Sequence, residues 1–155
     1  MILIVIFALL FLLIDIGSKL LVSHFLYPNE SIKIIDGFLQ MTYVKNTGAA
    51  WSIFADKSFV VVILSAIIIG AIGVYICKNK PRTSILKIAY ALILGGAIGN
   101  FADRIFHGYV IDFIDVSIFG YDYPIFNVAD CFIVMGVIIL IVATWRCNDG
   151  NTSGK

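Results

Sequence analysis

Charge is what this sequence has least of. Lysine and arginine total 11 and aspartate and glutamate 10, so 14% of residues are charged and the net charge is +1. A nucleic-acid binder needs a basic face, which this balance does not supply. Cysteine is scarce as well. Cys77, Cys131 and Cys147 are odd in number and form no CxxC pair, so neither a disulfide framework nor a zinc site can be read from them. Buried or membrane-facing thiols are the plain reading. The two histidines, His24 and His107, lie far apart in sequence. The N-terminus has no basic stretch and no small-residue cleavage site, and its apolar run exceeds the ~7–15 residues of a secretory signal core. It reads as a retained membrane helix.

What is abundant is hydrocarbon. Hydrophobic residues make up 61% of the 155, with a mean hydropathy of +1.01. A soluble domain of that size cannot bury so much apolar surface, so lipid is the solvent for most of the chain. A spanning helix needs ~20 mostly apolar residues. Four stretches qualify: residues 2–22, interrupted by Asp15 and Lys19; 58–77; 85–103, with Lys87 near its entrance; and 128–145, with Asp130 at its start and Arg146 closing it. The expected fold class is therefore an α-helical membrane protein, four transmembrane helices in one domain over 1–147. A polar tail without fixed structure is expected over 148–155.

The connection "KNKPRTSILK" holds Lys78, Lys80, Arg82 and Lys87 and no acid. The positive-inside rule places it in the cytoplasm. Both termini follow it there, and the two longer connections, from about Ser23 to Lys57 and from Arg104 to Asn127, face outward. In the first, Asp36-Gly37 between β-prone runs signals a two-residue hairpin. Its second arm alternates, with Leu39, Met41 and Tyr43 on one face and Gln40 and Thr42 on the other. A small extracytoplasmic β-rich element lying on the outer leaflet is expected. The second connection turns at His107-Gly108 and then runs "YVIDFIDV", again β-prone.

Ionisable side chains at membrane depth cost ~3 kcal/mol each on insertion scales, so each one calls for a reason. Asp15 and Lys19 are four apart on α-helical spacing, the favourable order for an ion pair. Either they neutralise each other with Lys19 snorkelling outward, or they orient something at the outer surface. Gly95 and Gly99, preceded by Ala91, form a small-residue stripe for close helix approach. Asn100 beyond them needs partners in a dry place; Asp103 and Arg104 either cap the helix end or extend the same polar surface. Asn46 and Gly48 read as a turn that can bring backbone close to a ligand.

Asp112, Asp115 and Asp130 remain. Two carboxylates brought together in apolar surroundings share a proton, which is the equipment for activating water on one side of a carbonyl and protonating the other. Spacing alone does not choose between Asp112 and Asp115 as the partner of Asp130. A small transporter using these acids as a proton or cation site is the rival reading. Against it, the acids gather at one surface instead of marking a path, and the second span carries no charge.

Taken in order, "DIGSK" (Asp15 to Lys19), "NTGAAW" (Asn46 to Trp51), "GGAIGNFADR" (Gly95 to Arg104), "VIDF" (Val110 to Phe113) and "FNVAD" (Phe126 to Asp130) form a more specific set than any one of them. This set, with four spans and this length, resembles lipoprotein signal peptidase (signal peptidase II), a family of bacterial membrane aspartic peptidases. The resemblance implies that Asp112 and Asp130 are the catalytic pair, which breaks the tie against Asp115. It implies supporting or substrate-binding roles for Asp15, Lys19, Asn46, Gly48, Asn100, Asp103, Arg104 and Asn127. It further implies a diacylglyceryl-modified prolipoprotein substrate in the bacterial cytoplasmic membrane, cleavage just before its lipidated cysteine, and no metal or organic cofactor. A monomer is expected, with its active site at the outer face by the charge of the connections.

Overall fold

A computed structural model of the chain describes residues 1–48 and 58–152. Residues 49–51 of the "NTGAAW" motif, the remainder of the first long connection to residue 57, and the side chains of Arg146 and Cys147 lie outside what it describes. The order of elements is α1 (Ile2–Phe25), β1 (Ser31–Ile35), β2 (Leu39–Asn46), α2 (Ser58–Asn79), α3 (Ser84–His107), β3 (Val110–Ile118), β4 (Tyr121–Asp122) and α4 (Val128–Thr152). All four helices are long and apolar enough to cross a membrane. Each starts where the sequence places it to within a residue. α4 continues to Thr152, so helix reaches into the segment expected to be an unstructured tail.

α3 is the hub. Half of its apolar window is buried inside the protein, against 22% or less for the other three. Lipid tails are as apolar as leucine, so helices in a bilayer associate through close packing, and small residues permit it. A Cβ on Gly95 would lie 2.8 Å from the Ala8 carbonyl oxygen and the Phe11 Cβ of α1. One on Gly96 would strike the Ala129 carbonyl of α4 and come within 2.9 Å of Ile133 Cγ1. Gly136 of α4 repeats this from the other side, against Ile93. α2 packs through Ile76 into a cluster with Ile4, Ala8, Tyr90 and Ala91. Many other apolar side chains of α1, α2 and α4, among them Leu9, Leu13, Ile67, Ile68, Val134 and Ile138, are exposed on the outside of the bundle, where lipid would meet them.

At the end of the bundle where α1 and α3 finish, an antiparallel sheet of order β1-β2-β3-β4 is assembled. Val22 and Leu26 at the end of α1 pack under Tyr43, Ile111 and Phe113 and fix the sheet to the helices. α3 stops at Gly108, whose left-handed backbone (φ +78°) turns the chain into β3. The hairpin at Asp36-Gly37 is present, but its loop has three residues, 36–38, because Ile35 pairs with Leu39. A second hairpin, not anticipated, turns at Phe119 (φ +53°) and Gly120 (φ +81°).

The β2–β3 register contains the feature that matters for the site. Met41 pairs with Ile114 and Val44 with Asp112, so Thr42 and Tyr43 together stand opposite Phe113. Phe113 and Ile114 both donate their N–H to the Phe126 carbonyl, at 3.0 and 2.7 Å. Such a bulge locally twists a strand and re-aims its side chains.

Candidate active site

The polar residues picked out along the sequence converge at one place, between the sheet and the ends of α3 and α4. A cavity of about 1080 Å³ is lined there by Asn46, Gly48, Asn100, Arg104, Asp112, Asn127 and Asp130. Asp115 lines it as well, although its spacing of three from Asp112 would put the two on opposite faces of a flat strand. Between them the alternation of β3 is broken at Phe113 and Ile114, which share the Phe126 carbonyl as acceptor.

Asp130 owes its position to a helix start. Asn127 precedes α4, and its Oδ1 accepts the backbone N–H of Asp130 at 3.0 Å. Asp130 Oδ2 reciprocally accepts the backbone N–H of Asn127 at 3.1 Å. This is a capping box, with Asp in the place usually taken by Glu. Asp130 Oδ1 accepts from Asn100 Nδ2 at 2.8 Å. Asp112 is held the same way by two amides. Asn127 Nδ2 donates to its Oδ1 at 2.6 Å and Asn46 Nδ2 to its Oδ2 at 2.7 Å. The fully buried Asn127 therefore joins both aspartates, one through each end of its amide.

Burial pushes the Asp112 carboxyl up to about 6, and the neighbouring charge of Asp130 adds to that against the amides of Asn46 and Asn127, which favour the anion. A carboxyl in that range can hold a proton near neutral pH and release it when a base or leaving group asks for it. Asp115 is different. Gln40 Nε2 at 2.6 Å and Thr42 Oγ1 at 2.8 Å both donate to its Oδ2, so it is engaged in tying β2 to β3. Gln40 and Thr42 were placed on one strand face by their alternation, and their service to Asp115 needed the pairing register.

Behind the cavity lies a second layer. Asp15 is wholly buried, and its Oδ1 accepts the N–H of Ala129 at 3.0 Å, capping α4 from another helix. Its Oδ2 pairs with Lys19 at 2.7 Å. Lys19 does not snorkel outward. It is 3% exposed and reaches Asp103 at 2.8 Å and Asn100 Oδ1 at 2.9 Å. Gly99 gives this layer its room, since a Cβ there would collide with Asp15 Oδ2. Arg104 bonds the Asn100 carbonyl at 3.0 Å and the Gly48 carbonyl at 2.9 Å, holding the turn that Gly48 and Asn46 form. The wall from Tyr121 to Ile125, just ahead of the "FNVAD" motif, also lines the cavity, and no sequence signal marks it. Among the described residues, no group of three or more His, Cys, Asp or Glu is gathered as metal ligands.

The signal peptidase II family profile matches residues 7–146, which include every residue of this site. The chain belongs to the signal peptidase II family. As a member of that family it is a multi-pass membrane peptidase. It is 40% identical over 134 residues to the lipoprotein signal peptidase of Anoxybacillus flavithermus, covering 86% of this chain and 80% of that one. It is 39% identical over 154 residues to the lipoprotein signal peptidase of Staphylococcus aureus, covering 99% and 90%. A bacterial membrane enzyme solved by the in meso method at 2.3 Å superposes with a TM-score of 0.88 at 35% identity, over 98% of this chain and 92% of that one. A second, at 1.9 Å, gives 0.81 at 36% identity over 91% of each.

Proposed function

We propose that this signal peptidase II is an aspartic endopeptidase that removes the signal peptide from diacylglyceryl-modified prolipoproteins, cleaving just before the lipidated cysteine. The observation that carries this reading is the pair Asp112 and Asp130, joined through Asn127 at a cavity where the helices end. With one proton between them, one carboxylate takes a proton from water as its oxygen attacks the scissile carbonyl. The other donates to the carbonyl oxygen. Collapse of the tetrahedral intermediate breaks the C–N bond, and the departing amine takes up a proton from the dyad. The products are a signal peptide with a new carboxylate and a lipoprotein whose N-terminus is the lipidated cysteine.

The place of the site fits the substrate's chemistry. Diacylglyceryl chains anchor the precursor in one leaflet and fix the depth of the bond to be cut. A dyad at the helix ends meets it there and still has access to water, so anchoring acts as a proximity effect. By the positive-inside argument that leaflet is the outer one of the bacterial cytoplasmic membrane, with both termini cytoplasmic. The test is to incubate purified enzyme with a diacylated precursor and, separately, with its unlipidated form. Cleavage of the first alone is expected. Equal rates on both would remove the lipid from the mechanism, and no cleavage of either would remove the activity.

A further inference from the structure

Lys19 lines no part of the cavity, yet its ammonium meets three groups inside the protein. Its ion pairs with Asp15 and Asp103, at 2.7 and 2.8 Å, neutralise charge. The hydrogen bond to Asn100 Oδ1 at 2.9 Å has a different consequence. A primary amide has an acceptor end and a donor end. With the ammonium at its oxygen, the NH₂ of Asn100 must point the other way, where it meets Asp130 Oδ1 at 2.8 Å. Turning the amide over would set NH₂ against an ammonium and oxygen against a carboxylate. Asn127 Nδ2 adds a second donor to Asn100 Oδ1 at 3.2 Å, in the same sense. Lys19 and Asn100 are 3% and 9% exposed, so little water competes for these groups.

We propose that Lys19 is a positioning residue for the dyad: it fixes the amide of Asn100 in the one orientation that holds Asp130, touching neither substrate nor the reacting atoms itself. This rests on the peptidase reading above and assigns Lys19 a task beyond balancing Asp15.

The test needs a variant that still folds. Lys19→Met alone leaves two buried carboxylates, Asp15 and Asp103, without their cation. Lys19→Met combined with Asp103→Asn keeps the net charge of the three side chains at the wild-type value. With a diacylated precursor, this double variant is expected to lose kcat by about 100-fold, the scale of losing one aimed donor. KM is expected to stay unchanged, because nothing that touches substrate is altered. Asn100→Leu should lose kcat to a similar extent. Adding it to the double variant should cost nothing more, because Lys19 acts through Asn100. A double variant with wild-type kcat, a loss expressed in KM, or a triple variant whose losses multiply would each overturn the proposal. Absence of wild-type turnover sinks it together with the peptidase reading, whereas the other three outcomes leave that reading standing.

Discussion

Replacing Asp112 by Asn should make the protein more stable at neutral pH while removing its activity. The folded carboxyl titrates at about 6 against an ordinary 3.8, so the folded state binds the proton more tightly than the unfolded chain does. Between about pH 4 and pH 6 the folded state therefore holds more protons, and stability falls as pH rises through that window. Once both states are ionised, the difference is worth about 3 kcal/mol against the fold. Asparagine removes that term. It also removes an acceptor: Asn46 and Asn127 each donate to one Asp112 oxygen, and an amide can satisfy only one of them. The unsatisfied donor costs about 1 kcal/mol. The net expectation at pH 7 is a gain of about 2 kcal/mol, a Tm higher by roughly 4–8 °C for a chain of this size. Near pH 4 the gain vanishes and the variant should be the less stable by about 1 kcal/mol. Thermal unfolding of wild type and variant in the same detergent at the two pH values measures this. A variant less stable at pH 7, or a difference indifferent to pH, would mean that burial does not destabilise the Asp112 carboxylate.

Gly99→Ala should weaken or prevent folding, because its methyl group collides with Asp15 Oδ2 in a packed site; a wild-type melting curve would contradict the packing. Asp115→Asn should lose about 1 kcal/mol of stability, because its one amide oxygen can still accept from both Gln40 and Thr42 but without the charge that strengthens those bonds, while turnover stays substantial. For orientation, a cysteine introduced near Asn29 should react with an impermeant thiol reagent in intact cells, and one near Asn79 should not; the reverse pattern would invert the topology.

The helices were legible because hydropathy over twenty residues needs no partner to be read. The glycine stripe was legible in part: Gly95 and Gly99 announced the face toward α1, but Gly96 turns to α4, and only packing shows that. The sheet was harder. Alternation in β2 put Gln40 and Thr42 on one face, but both Asp112 and Asp115 reach the cavity across an irregular step in β3, where Phe113 and Ile114 donate to one carbonyl, and no local pattern encodes it. For the same reason spacing could not choose between those two aspartates. The amide contacts of Asn46, Asn100 and Asn127 join residues from 15 to 66 positions apart, so their functions exist only in the fold. Lys19 marks the limit of one-helix reasoning. Its pairing with Asp15 was visible at i,i+4, whereas its burial and its reach to Asn100 and Asp103 came from α3.

On the reading proposed above, Asp112 and Asp130 act as one unit on a lipid-anchored peptide bond. The most direct measurement is the turnover of purified Asp112→Asn, Asp130→Asn, their double variant and Asp115→Asn on a diacylated prolipoprotein. Each of the first two should abolish turnover, the double variant should be no worse than either alone, and Asp115→Asn should still cleave. Substantial turnover by Asp130→Asn, or an inactive Asp115→Asn beside an active Asp112→Asn, would contradict that reading.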